Sequence, residues 1–141
     1  DTVNTITDLA TNVLAAIAAI SLVVSALMII VSMYMSVSER TKEIGILRAL
    51  GESKKDIRRL FTSESLFIGL LAAVLGTVMA FAIGAGLNSL LYSIAKYNLI
   101  RISMGDVIFA FVVAVIISFL AALMPARRAS KLNPIDALAA D

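Results

Sequence analysis

The residues best suited to specific recognition lie in one short run, Ser38 to Gly51, set between two long apolar stretches. Ile44, Leu47 and Leu50 recur at helical spacing, with Ile46 widening their stripe, while Arg40, Glu43 and Arg48 take the other side. Gly51 supplies a left-handed stop, since glycine enters that backbone region without steric cost. A short amphipathic helix of this kind has two uses. It lies in the plane of a membrane surface, or it docks its apolar face into a groove of a partner. Spacing alone leaves both open. Bond-making chemistry is poorly supplied by comparison. The chain has no histidine and no cysteine, which excludes His- or Cys-ligated zinc, iron–sulfur clusters, disulfides, and Ser-His or Cys-His nucleophiles. An intramembrane aspartyl enzyme needs two acids within spans, and only Asp106 lies beside one, at its edge. No G-x-x-x-x-G-K-S/T loop is present, so any ATP is bound by another chain or domain.

The elements that position this run follow from the charge pattern. Of the 141 residues, 60% are hydrophobic and 16% charged, against roughly 45–50% and about 25% in soluble domains. No charge falls between Asp8 and Glu39, Glu64 and Lys96, or Asp106 and Arg127, gaps of 30, 31 and 20 residues. About 20 apolar residues cross the hydrocarbon core as a helix. The pattern predicts an all-α integral membrane protein with three transmembrane helices and an amphipathic helix between the first two. The expected boundaries are a stalk start at 1–10, a span at 11–37, the amphipathic helix at 38–52, a long helix at 53–95 whose start is charged, a loop at 96–105, a span at 106–126 and a tail helix at 127–141. Val3, Ile6, Leu9 and Val13 keep helical spacing through the polar start, which favours a stalk above the membrane over a frayed end. The first residue is Asp1, with neither methionine nor a basic leader, so the chain reads as part of a longer protein.

Lysine and arginine set the orientation. The connector Glu39–Glu64 holds seven of them and the tail adds Arg127, Arg128 and Lys131, whereas only Lys96 and Arg101 lie on the opposite side. Positive residues are retained in the cytoplasm during insertion. The amphipathic helix and the C-terminus are therefore expected inside, and the N-terminus and the 96–105 loop outside. The basic residues flank spans, which points to topology and not to nucleic acid.

Small residues recur at four-residue steps on two helices: Ala72, Gly76, Ala80 and Gly84, with Asn88 one step on, and Ala110, Ala114, Ser118, Ala122 and Ala126. In lipid such ladders let helix backbones approach closely, so they are expected to be packing faces, including one toward a partner subunit. Ser53 and Asp56 form a capping box at the start of the long helix. Pro125 is expected to end the last span, and Asn133-Pro134 with Asp136 to begin the tail helix. No charge lies deep in a span, as ion-coupled transport would require, and proline occurs only near the basic end, which argues against broken helices around a midplane site.

Two motifs carry a resemblance that spans the chain. Glu39-Arg40 followed by Glu43-Ile44-Gly45-Ile46, Ala49 and Gly51 is similar to the coupling-helix motif of the FtsX/MacB-type ABC permeases. Pro125-Ala126, Arg128-Ala129, Pro134 and Ala137-Leu138 resemble the motif that closes chains of that family, although Ala139-Ala140-Asp141 stands where the family often has arginine. The resemblance implies a bacterial cytoplasmic-membrane permease with four spans, of which this chain holds the last three, and an extracytoplasmic domain between the first two. It implies a dimer seated on an ABC-type ATPase that holds ATP and Mg, so that the chain is not itself an enzyme. It also implies that Arg40, Glu43, Ile44, Gly45, Leu47, Arg48 and Gly51 form the ATPase contact, with Gly45 permitting close approach. Motion would pass outward to drive export of a hydrophobic or peptide-like cargo. A passive anchoring module without an ATPase is the alternative.

Overall fold

The computed structural model describes residues 1–139. Five helices follow one another: α1 (Thr2–Glu39), α2 (Thr41–Ala49), α3 (Lys54–Ala95), α4 (Met104–Ser130) and α5 (Pro134–Ala139). No strand occurs among the described residues. Helices α1, α3 and α4 are long and apolar enough to cross a membrane. At 1.5 Å per residue, the 38 residues of α1 and 42 of α3 reach about 57 and 63 Å, twice the ~30 Å hydrocarbon core. Both helices therefore project beyond a bilayer. Helix α1 starts at Thr2 and runs unbroken through the expected stalk. None of its most apolar stretch is buried within the chain.

The core lies at one end. Met33 and Val37 of α1, Ile44 of α2, Ile57 and Phe61 of α3, and Ala126 and Ala129 of α4 form one buried cluster, flanked by Ile29, Leu47 and Leu132. Arg40, Arg58, Arg59, Arg127 and Arg128 belong to the same turns, and we term this the basic end. From it α3 and α4 run along each other, while α1 leans on α4 and scarcely touches α3. The divergence leaves a cavity of about 440 Å³ lined by Leu22, Ser25, Ala72, Gly76, Ala80 and Ala114, among others.

The α3–α4 seam is built from small and hydroxyl residues. Ser65 Oγ donates to the Ser118 carbonyl at 3.0 Å, and Ser118 Oγ donates to the Ala114 carbonyl at 2.8 Å. A Cβ at Gly69 would overlap Ser118 Oγ and lie 2.6 Å from Ser118 Cβ. Ile57, Phe61, Ser65, Gly69 and Ala73 are buried along one four-residue ridge. The expected stripe of α3 is not its face toward α4: Ala72, Gly76 and Ala80 are exposed, and a Cβ at Gly76 meets nothing within 4 Å. The large Ile57 and Phe61 seat in the core and fix the rotation of α3, and four-residue steps from them select the neighbouring ridge. Gly84 is buried, but against Ile100 and Ile102 of the α3–α4 connection and not against a helix. On α4, Ser118 and Ala122 are buried and Ala114 half-buried.

Local signals set the helix ends. Capping boxes start α3 at Ser53/Asp56 and α4 at Ser103/Asp106, so α4 begins at Met104, two residues before the expected position. The connection between them is held by Asn88, whose amide donates to the Ile100 carbonyl at 2.7 Å and accepts from its N–H at 2.9 Å. Lys96 ends α3 in the left-handed region, φ 58°. Pro125 does not end α4, which continues to Ser130. Proline forfeits one helical bond, but Pro125 is fully buried beside Ala122, Ala126 and Ala129, and that packing holds the helix together. Asn133 Oδ1 accepts from Ile135 N–H at 3.2 Å and starts α5. Of the expected tail, residues 140–141 lie outside the described residues.

Candidate docking surface at the basic end

Helix α2 is joined to α1 through a single non-helical residue, Arg40 (φ −103°, ψ 14°). Thr41 Oγ1 donates to the Val37 and Ser38 carbonyls at 3.0 Å each, closing the end of α1. The Arg40 guanidinium then reaches both ways from the corner, to Glu43 at 3.3 Å and to Glu64 of α3 at 3.3 Å. The Glu43 and Glu64 side chains are 70% and 37% exposed, and such pairs contribute at most about 1 kcal/mol each. Their value is geometric: they tie the α1–α2 corner to a third helix.

The far end of α2 closes as the sequence indicates. Glu52 N–H donates to the Leu47 carbonyl at 3.0 Å and Gly51 N–H to the Arg48 carbonyl at 3.2 Å, with Gly51 at φ 102°. These two bonds are the Schellman pattern. Arg48 Nη1 donates to the Glu52 carbonyl at 3.1 Å, and its Nε is buried without a partner. Arg48 thus braces the turn. At the charged start of α3, ahead of its apolar stretch, Ser53 Oγ and N–H both donate to the Asp56 carboxylate, at 2.6 and 3.3 Å. The side-chain bond first, then the backbone bond, holds the Asp56 carboxyl below its ordinary range.

The apolar side of α2 is covered by α5. A Cβ at Gly45 would stand 2.8 Å from Ala137 Cβ and 3.2 Å from the Leu138 nitrogen. Ile44 is 2% exposed, Gly45 is buried and Leu47 half-buried. The close approach that Gly45 permits is therefore to the chain's own tail, and the Ile44–Leu47 stripe faces the core instead of a partner. The physical reason is that the tail brings a small residue, Ala137, to the one place on α2 without a side chain. Sequence reasoning missed this contact; the pairing of a glycine in one motif with an alanine in the other was its only trace. What stays exposed is Lys42, Glu43, Ile46 and Ala49 on α2, Leu50 at its end, and Ile135, Asp136, Leu138 and Ala139 on α5. Among the described residues no three Asp, Glu, His or Cys side chains cluster as a metal site would.

Residues 15–134, from within α1 to the first residue of α5, match the FtsX-like permease C-terminal family. The chain belongs to the FtsX-like permease family. The FtsX-like chain is 39% identical over 131 residues to the macrolide export ATP-binding/permease protein MacB of Vibrio parahaemolyticus, covering 93% of this chain and 19% of that protein. It is 36% identical over 141 residues to MacB of Agrobacterium fabrum, covering 100% of this chain and 21% of that protein. It is 37% identical over 128 residues to the probable syringafactin export ATP-binding/permease protein SyfD of Pseudomonas syringae, covering 91% and 19%. The FtsX-like chain thus spans about a fifth of the length of these curated relatives.

Proposed function

We propose that this permease chain carries ATP-driven movement from a cytoplasmic ABC-type ATPase across the bacterial inner membrane, in the export of a hydrophobic or peptide-like cargo. The names of its relatives join an ATP-binding part to a permease part, and in this reading ATP and Mg are held by that part and not by the helices described above. The excess of lysine and arginine at the basic end supports its facing the cytoplasm. The ATPase docks on the exposed face of α2, through Glu43, Ile46 and Leu50, with α5 beside it. A second permease copy packs against the Ala72–Gly76–Ala80 stripe, entering by the cavity between α1 and the α3–α4 pair that this stripe lines.

One observation carries the proposal. Helix α2 is tied to α1 and α3 through the Arg40 corner, whose guanidinium reaches Glu64, and to α5, which follows α4, through Gly45 and Ala137. A push on it is shared by all three, and helices of about 57 and 63 Å deliver it beyond the bilayer. The test uses the full-length protein in proteoliposomes. Glu43→Lys and Ile46→Asp should each leave ATP hydrolysis in place and lower ATP-driven export about tenfold or more. Normal export by both variants would refute the assignment.

A further inference from the structure

We infer that the basic end carries a phospholipid site for a phosphoethanolamine headgroup, in the groove between the ends of α1 and α4. Val31, Tyr34, Met35, Ser38 and Glu39 lie at steps of three, four, seven and eight along α1, one face of that helix, and with Arg128 of α4 they line an open groove of about 410 Å³. The Arg128 guanidinium stands 5.2 Å from the centre of the Tyr34 ring, which holds the cation over the groove. Opposite charges thus line one groove without meeting. The ion pairs among the described residues are those of Arg40 with Glu43 and Glu64, and neither Glu39 nor Arg128 enters one. A cation and a carboxylate held apart on one wall complement a zwitterion, with phosphate at Arg128 and ammonium at Glu39.

The level of the groove identifies the zwitterion as a lipid. Glu39 closes the uncharged run of α1 and Arg127 closes that of α4, so the groove opens where hydrocarbon gives way to headgroups, a depth that tyrosine also favours. Away from the charges, Met35, Val31, Met28, Leu27 and Val24 continue as an exposed apolar stripe along α1, a track for an acyl chain. A soluble zwitterion has no use for that track. Phosphatidylglycerol would bring a net negative charge to Glu39, and phosphatidylcholine lacks the N–H donors that Glu39 and the Ser38 hydroxyl accept from.

Native mass spectrometry of the purified full-length protein, stripped of lipid and mixed with phosphatidylethanolamine, phosphatidylcholine or phosphatidylglycerol, tests the site. The first should bind about tenfold better than either of the others, the scale of one charge-assisted hydrogen bond. Glu39→Gln and Arg128→Gln should each abolish that preference. Glu39→Lys should transfer it to phosphatidylglycerol, a gain that misfolding does not produce. Equal binding of the three lipids by the unaltered protein overturns the inference, as does a preference for ethanolamine that survives either Gln substitution.

Discussion

Two glycines on α3 separate packing within the chain from packing outside it. At Gly69 any side chain collides with Ser118, whose Cβ would lie 2.6 Å away, while at Gly76 a Cβ meets nothing within 4 Å. Gly69→Leu is expected to force α3 from α4 and to cost about 1–3 kcal/mol, the usual penalty of overpacking. It should lower the thermal midpoint in detergent, and Gly76→Leu should leave that midpoint within the scatter of surface substitutions. In size-exclusion light scattering the order should reverse, with Gly76→Leu alone weakening self-association if that stripe meets a second copy. Gly76 was legible as one of the small residues at four-residue steps, and Gly69 was not singled out. Which ridge turns inward was not legible, because Ile57 and Phe61 choose it by seating in a core shared with three other helices. Single residues with a local role were easier to read: Gly51 as a stop and Ser53 as a cap follow from their nearest neighbours.

Helix ends and the helix pair α2–α5 show the same division between local and distant causes. The Ser53 cap satisfies the N–H of Asp56 at 3.2 Å, and Ser53→Ala should fray the first turn of α3 at a cost of about 1 kcal/mol. Faster amide exchange at Asp56 would report it. Because the folded Asp56 carboxyl titrates below its ordinary 3.8, its contribution is present above that pH and lost as pH falls through the depressed value. The start of α3 should therefore loosen only in strong acid. The Ser103 cap had the same spacing, with Asp106 three residues on, and was equally readable. Contact between α2 and α5 was not, since Gly45 and Ala137 lie 92 positions apart in sequence. There the prediction is an exchange of partners. Gly45→Ala adds a Cβ 2.8 Å from that of Ala137 and should raise amide exchange throughout α5. Combining it with Ala137→Gly returns one methyl to the junction and should restore most of the protection, a coupling that independent sites would not show.

Across the whole molecule, stiffness is unevenly distributed. At the basic end α1, α2, α3 and α4 share one core, whereas toward the other end α1 parts from α3 and leaves the cavity of about 440 Å³. Few contacts resist a swing of α1 there, and low contact density marks the parts of a protein that move most readily. If α2 transmits a nucleotide-driven push, the response is a tilt of α1 against the α3–α4 pair, hinged in the core and largest far from it. Spin labels test this directly, since the chain itself has no cysteine to compete for them. Leu14 and Gly86 both lie far from the core residues along their helices, Met33 and Phe61 being the nearest, and both are exposed. Their separation in the full-length protein is expected to shift by several ångström when ATP binds, on the scale of hinge and shear closures. A second pair at the basic end, Glu39 and Arg58, should hold its distance. If neither distance changes while ATP turns over, α1 is a fixed strut and the movement runs elsewhere. If both change together, the basic end is no hinge and its core must repack in every cycle.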